Sequence, residues 1–288
     1  MKRKRIKAAV CAAVMAFTLF GSLCPVDYHF MRETSVTASA EAAIWDGTED
    51  TSWYYREHDV IVSENGERIA IFNIRTAEEL AGLAKLVRNG NSMKNTMINL
   101  VSDVTLNDTT NFDNWDEQPP ANNWTAIGAV PIEAPNVNVV MTIQPECRNT
   151  VFAGMFNGNG HTISGMYSLH HNYAGLFART SGIITNVIVK DSYIQCINTQ
   201  KVESGDTALW EACAGGITAI CDRGVISHCE FDGKIFASGL NQVGYGTHGS
   251  FAGGIVGKFS DDENGVAAVV MMFALVPAGF LINPALFL

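Results

Sequence analysis

The sequence predicts an all-β fold, a parallel β-solenoid, on three observations. The first is self-similarity: Ala174-Gly-Leu-Phe, Ala214-Gly-Gly-Ile and Ala252-Gly-Gly-Ile-Val-Gly start 40 and then 38 residues apart. A fixed period of this size marks stacked repeat architectures. The second is that each unit is Val/Ile-rich and punctuated by glycine about every ten residues, the mark of short strands joined by tight turns. The third is that no helical period interrupts residues 151–264. A unit this short cannot bury its own apolar face, so neighbours must stack. The same strand spacing also fits a β-sandwich, the alternative fold.

The elements follow in order. Lys2, Arg3, Lys4, Arg5 and Lys7 form a basic stretch, and the charge-free run Ala8–Leu23 follows it. Ala38-Ser39-Ala40 supplies small residues for cleavage. Residues 1–40 therefore read as a secretory signal peptide, with an uncleaved anchor as the alternative. The residues before Cys24 do not fit lipid attachment.

Residues 41–150 read as an N-terminal cap and first strands. Thr76-Ala-Glu-Glu79 has the spacing of a capping box, in which each side chain satisfies a free N–H of the first turn. Leu80, Leu83, Ala84 and Val87 follow at helical spacing on one apolar stripe. Asn89-Gly90-Asn91 stops the helix, with Gly90 suited to a left-handed C-terminal cap. Residues 96–106 alternate as a strand, and 107–124 form an Asn/Asp-rich loop containing Pro119 and Pro120.

In the repeat region, 151–264, Gly182 aligns with Gly224, Val187 with Cys229, Val189 with Phe231 and Asn186 with His228. Residues two apart in a strand share a face, so Cys229 takes an inward apolar slot. A free cysteine behaves there as a small hydrophobe. Gly265 then sits where Gly182 and Gly224 sit, and a further strand is due. Residues 265–288 instead form a charge-free apolar tail, either a membrane anchor or the product of a truncation or frameshift.

Composition limits the function. The chain has 288 residues, 17% of them charged, a net charge of −10 and a mean hydropathy of +0.10. Without residues 1–40 it keeps 13 basic and 27 acidic residues, a net charge of −14. Such a surface disfavours nucleic acid, which needs a basic footprint. Five cysteines remain (147, 196, 213, 221 and 229), an odd number with no CxxC, so neither a disulfide scaffold nor a zinc ribbon is indicated.

Motifs with chemistry are weak. There is no His-Glu-x-x-His and no Gly-x-Ser-x-Gly. The literal GxGxxG at 244–249 leads into a strand, whereas a dinucleotide site needs it to open a helix. Asp261-Asp-Glu-Asn-Gly265 lacks the alternating ligands of a calcium loop. Asp103, Asp108, Asp113, Asp116 and Glu117 are candidates for carbohydrate chemistry, which needs two carboxylates across a bond. Their bland reading is solvated loop residues bonding their own backbone. Trp53 and Trp124 are expected to pack the cap. Trp115 and Trp210, in polar surroundings, are the candidate binding residues, since exposed aromatics stack on sugars and enrich interfaces. No catalytic residue, metal site or cofactor is assigned.

One resemblance covers roughly residues 45–259. Trp45-Asp-Gly-Thr-Glu-Asp-Thr-Ser-Trp-Tyr54 resembles the mature start of bacterial surface repeat proteins. So does the order of the 76–83 helix, Trp124-Thr-Ala-Ile-Gly128 and Phe156-Asn-Gly-Asn-Gly-His-Thr-Ile-Ser-Gly165. The Gly-Leu-Phe and Gly-Gly-Ile-Val-Gly units resemble the GLUG repeat of adhesin-like proteins. That repeat also lies beside the catalytic part of immunoglobulin-A-cleaving metallopeptidases. Ala178 departs from it, standing where the repeat has glycine. The resemblance implies a right-handed parallel β-helix, secreted or on the cell surface, that binds an extracellular glycan or protein. Alternatives are a secreted polysaccharide-active enzyme and the non-catalytic fragment of a larger surface protein.

Overall fold

The computed structural model describes residues 43–129, 151–198, 211–239 and 249–260, with the backbone of Val269–Met271. The proposed signal peptide, Cys147, Trp210, most of the 244–249 glycine motif and most of the apolar tail lie outside the described residues. Among those described, eighteen strands accompany one α-helix. The β-rich class expected from the sequence is the one found.

The first described strands form a hairpin: β1 (Asp59–Val62) pairs antiparallel with β2 (Arg68–Ile74), Asp59 facing Ile71 and Val62 facing Arg68. The turn between them carries Gly66 at φ +80°. Helix α1 (Ala77–Arg88) follows, then β3 (Thr96–Leu100), which returns to pair parallel with β2. The helix therefore lies in a β–α–β crossover and does not precede the first strands.

The sequence signals at both helix ends hold, with one exchange of partners. Thr76 Oγ1 accepts from the Glu79 N–H at 3.2 Å. The Glu79 carboxylate accepts from the N–H of Arg75 at 2.7 Å, one residue earlier than a capping box requires, and also holds the Arg56 guanidinium at 2.9 Å. At the other end the Gly90 N–H donates to the Val87 carbonyl and the Asn91 N–H to that of Leu86. With Gly90 at φ +95°, this is a Schellman closure. Leu80, Leu83, Ala84 and Val87 are buried as their spacing requires.

The expected 96–106 strand is two: β3 and β4 (Val104–Thr105), separated where the chain turns from one sheet to the next. The repeat region then supplies β5 (Met155–Asn157), β6 (Thr162–Ser164), β7 (Tyr167–His170), β8 (Tyr173–Ala174) and β9 (Phe177–Thr180). Next come β10 (Ile183–Thr185), β11 (Ile188–Asn198), β12 (Ala212–Gly215) and β13 (Thr218–Cys221). The third group is β14 (Val225–Ser227), β15 (Glu230–Gly239), β16 (Ser250–Gly253) and β17 (Val256–Phe259), with β18 (Val269–Met271) beyond it.

Each strand pairs with its counterpart in the neighbouring unit, and every pair among the described strands except β1–β2 is parallel. The ladders run β2-β3-β5-β10-β14-β18, β4-β6-β11-β15, β8-β12-β16 and β9-β13-β17. Val189 faces Phe231, as the repeat alignment requires. This pattern excludes the alternative sandwich, whose sheets are antiparallel. Within the 265–288 segment Val269 pairs with Val225 and Met271 with Ser227, so a short strand lies four residues after Gly265, where the alignment of Gly265 with Gly224 puts it one residue after.

One apolar cluster runs through the ladders, from Trp45, Trp53, Leu80 and Leu83 through Phe156, Phe177, Val187 and Val189 to Ile217 and Ile226. Trp53 and Trp124 belong to it, with their indole N–H groups donating to the carbonyls of Glu79 at 3.0 Å and Leu176 at 3.3 Å. They pack as expected and leave no polar atom stranded.

Gly82 sits where the 43–55 segment crosses the helix. Asp50 N–H donates to the Glu78 carbonyl at 2.8 Å, and a Cβ on Gly82 would overlap the Asp50 carbonyl oxygen. Alanine ordinarily gains about 0.5–1 kcal/mol over glycine in a helix. The overlap reverses that sign, because forcing atoms into a packed site costs about 1–3 kcal/mol. Gly82→Ala is therefore expected to lower the unfolding free energy in urea by about 1–2 kcal/mol, whereas a helix lying free of the 43–55 segment would be stabilised.

Candidate functional site

The Asn/Asp-rich loop is not a loose excursion. Its two ends are clipped by a pair of asparagines. Asn107 Nδ2 donates to the carbonyls of Asn122 and Gly165, both at 2.9 Å, and its Oδ1 accepts from the Asn122 N–H at 2.9 Å. Asn122 Nδ2 donates to the Trp45 carbonyl at 2.7 Å and that of Leu106 at 3.1 Å. Asn107 is buried. The two amides thus tie the loop to its own start, to the 44–45 segment and to the β6–β7 turn.

Within the loop, Asp108 Oδ1 accepts from the Thr110 N–H at 2.9 Å, closing an Asx turn. A single 3-10 turn, Phe112–Asn114, then sets the direction of the returning arm. Asn114 Nδ2 donates to Asn111 Oδ1 at 2.7 Å, and Asn111 Nδ2 to Gln118 Oε1 at 3.3 Å.

Between this loop and the 44–45 segment lies an open groove of about 490 Å³. Its polar side chains are those of Asp108, Thr110, Asn111 and Gln118 with the clip residues Asn107 and Asn122, beside Pro119, Pro120, the half-exposed Ile44 and an edge of the buried Trp115. Asp108 is the one carboxylate among the described residues lining it. The Thr110 backbone N–H, joined by its side chain, holds the Asp108 carboxyl below the ordinary aspartate value. The groove therefore offers an ionised acceptor, a hydroxyl and amides, a set suited to hydroxyl-rich or peptide ligands.

Trp115 does not serve this groove as an exposed stacking surface. It is 2% exposed, with Phe112 edge-on at 5.3 Å and Tyr167 edge-on at 6.1 Å. Tyr167 stacks on Tyr193 at 5.6 Å, and Tyr193 meets Phe236 at 5.4 Å. This aromatic row follows the ladder of β7, β11 and β15, and the loop is laid over it. Lys234 Nζ donates to the Asp113 carbonyl at 2.7 Å and lies 5.3 Å over the Phe112 ring. Burial raises the pKa of both tyrosine hydroxyls. A loop tryptophan in polar sequence reads as exposed; the tyrosines that cover it lie more than fifty residues away.

The other loop carboxylates stand outside the lining of this groove. Asp103 Oδ1 accepts from His161 Nδ1 at 3.1 Å and from the Thr162 N–H at 2.9 Å, holding one unit to the next. Asp113 contributes its carbonyl to Lys234, and Asp116 lies near Tyr193.

Cys229 packs against the core, its Sγ 3.3 Å from the Ser227 carbonyl. His228 has φ 52° and Asn186 φ 54°, so the aligned pair occupies the same left-handed corner. Among the described residues, no three His, Cys, Asp or Glu side chains gather as metal ligands, and no helix is long and apolar enough to cross a membrane. Cys196, Cys213 and Cys221 are buried free thiols.

Comparison with protein-family models, with curated proteins and with solved structures finds no match.

Burial pushes the Cys213 thiol up to about 12 and those of Cys221 and Cys229 up to about 11, from an ordinary value of 9.0. The reactive form is the thiolate, so the native chain is expected to leave these three unlabelled by a disulfide reagent at pH 8 and to expose them on unfolding in urea. Because the folded-state values are raised, the associated stability is full below pH 9 and declines as pH rises towards 11–12. Urea midpoints measured at pH 8 and pH 10.5 should fall accordingly.

Asn107→Ala should cost about 1–3 kcal/mol, because it leaves the Asn122 N–H and two carbonyls without their partner. Limited proteolysis should then cut first within 108–121.

Proposed function

We propose that the protein is an exported, cell-surface β-helix protein that acts by binding or display, adhering to a glycan or to a host protein. Parallel ladders whose partners lie 26–28 residues apart where β5, β6 and β7 meet the second group of strands, and 38–44 residues apart from β8 onward, support a helical winding of successive units. Parallel β–α–β connections are right-handed in about 98% of cases, which favours a right-handed β-helix. On this reading α1 closes one end, residues 1–40 direct export, and the −14 charge of the remainder suits an extracellular surface.

The observation that carries the binding reading is the groove beside the clipped loop. It offers hydrogen-bonding side chains from a pre-formed loop, with one carboxylate among its described lining residues. Hydrolysis of a glycosidic bond with two acidic groups would need a second. The motif order that resembles GLUG-repeat adhesins supports the same class.

The test is binding of the full chain to immobilised glycans and to a panel of extracellular host proteins, with reducing ends assayed in parallel. Saturable binding without new reducing ends is expected, and Gln118→Ala should weaken it about tenfold, the worth of about 1.4 kcal/mol. Release of reducing ends that Asp108→Asn abolishes would replace adhesion with a polysaccharide-active enzyme.

A further inference from the structure

Strand β1 ends its ladder with one edge turned outward. Among the described residues β2 is its one partner, and no strand lies on its far side. It also carries three of the exposed large apolar side chains: Val60 is 39% exposed, Ile61 45% and Val62 65%. Open edges are ordinarily blunted by lysine, proline or a bulge. Residues 58–62, His-Asp-Val-Ile-Val, contain no lysine or proline, and the β1–β2 register runs without a bulge.

The hydrogen bonds of the hairpin fix which backbone groups face that edge. The Ser63 N–H donates to the Glu67 carbonyl at 2.9 Å, so these two form a hydrogen-bonded pair. Bonded and non-bonded pairs alternate along an antiparallel ladder. Ile61–Ile69 and Asp59–Ile71 are therefore bonded pairs, and Val60–Ala70 and Val62–Arg68 are not. The Ala70 N–H agrees, donating away from β1 to the Asn95 carbonyl at 3.1 Å. The N–H and C=O groups of Val60 and Val62 thus point to the open edge.

We infer that this edge pairs antiparallel with the same edge of a second copy of the chain, across a two-fold axis at Ile61. Outward groups must meet outward groups, so even-numbered residues stand against even-numbered ones. The register centred on Ile61 puts Val60 against Val62 of the second copy, with both backbone bonds exchanged, and Ile61 against Ile61. Apolar residues then meet through the centre. At both ends basic His58 faces acidic Glu64 of the second copy, and Asp59 faces Ser63. An axis at Val62 would instead oppose Glu57 to Glu67 and Val60 to Glu64, and an axis at Val60 would oppose Asp59 to Ile61. Like charges directly opposite are destabilising, and opposite charges and apolar pairs are favourable. The edge is thus complementary to itself, as a two-fold contact requires. The inference rests on the hairpin alone and is independent of the groove.

Two cysteine substitutions in the full chain test the register. Directly opposed non-bonded residues lie about 4.5 Å apart between Cα atoms, within the reach of a disulfide, about 4.4–6.8 Å. Ile61 meets itself in this way. Val60 lies diagonal to Val60 of the second copy, at about 7–8 Å, and is out of reach. In a glutathione redox buffer, with the unsubstituted chain as baseline, Ile61→Cys should form covalent dimer about tenfold faster than Val60→Cys, although both thiols label with a maleimide. Equal crosslinking of the two, or crosslinking of neither, overturns the proposal. In sedimentation the unsubstituted chain should gain mass with concentration. Val62→Lys, which keeps the hairpin bonds and blunts the edge, should weaken that association about tenfold. A monomer at every concentration, or an association that Val62→Lys leaves unchanged, also overturns it.

Discussion

Parallel pairing between a strand and its counterpart one unit along is the interaction on which the rest of this structure depends. A three- or four-residue strand such as β10 or β13 has no stability alone. It acquires its backbone hydrogen bonds and its apolar cover together, when the next unit lies against it. That requirement explains the small residues at the corners. A Cβ on Gly215 would overlap the Thr218 carbonyl oxygen, and one on Gly216 that of Gly254. The backbones approach so closely there that a side chain would hold the ladders apart. The Ala-Gly-Gly spacing is thus a packing requirement before it is a motif.

The features legible in the sequence are those whose cause is local or periodic. The helix and its two ends follow from side chains within one turn of them: Thr76, the apolar stripe and Gly90. The register of the repeat follows from the alignment of Gly182 with Gly224, because a solenoid-like period is written once per unit. The hairpin of β1 and β2 was also within reach, since Asn65-Gly66 stands between two apolar runs. What escaped was long-range. Trp115 is buried by Tyr167 and Tyr193, and nothing near Trp115 announces them. The Asn107–Asn122 clip hid in a loop rich in asparagine, where the two that carry it look like their neighbours. Residue type alone does not say which amide is buried.

Polar groups in this molecule serve mainly to fix backbone. Asn99 Nδ2 donates to Asn73 Oδ1 at 3.2 Å, Asn186 Nδ2 to Asn157 Oδ1 at 3.1 Å and Ser227 Oγ to Thr185 Oγ1 at 3.0 Å, so successive units are stitched outside the core as well as within it. Asp103 does the same through His161 and Thr162. Against that background the groove residues stand apart. Asp108, Thr110, Asn111 and Gln118 are fixed by contacts inside their own loop and hold no ladder together.

The clip at the base of that loop has an evolutionary consequence. With its ends tied by Asn107 and Asn122 and its middle seated through Trp115 on Tyr167, the part of the segment that makes no contact with the strands can change length or sequence without disturbing them. Each doubling of its length would cost only about 0.6 kcal/mol in closure entropy. The scaffold and that part of the loop are therefore free to diverge at different rates, and lineages sharing the ladders could present different loops on the same two asparagines.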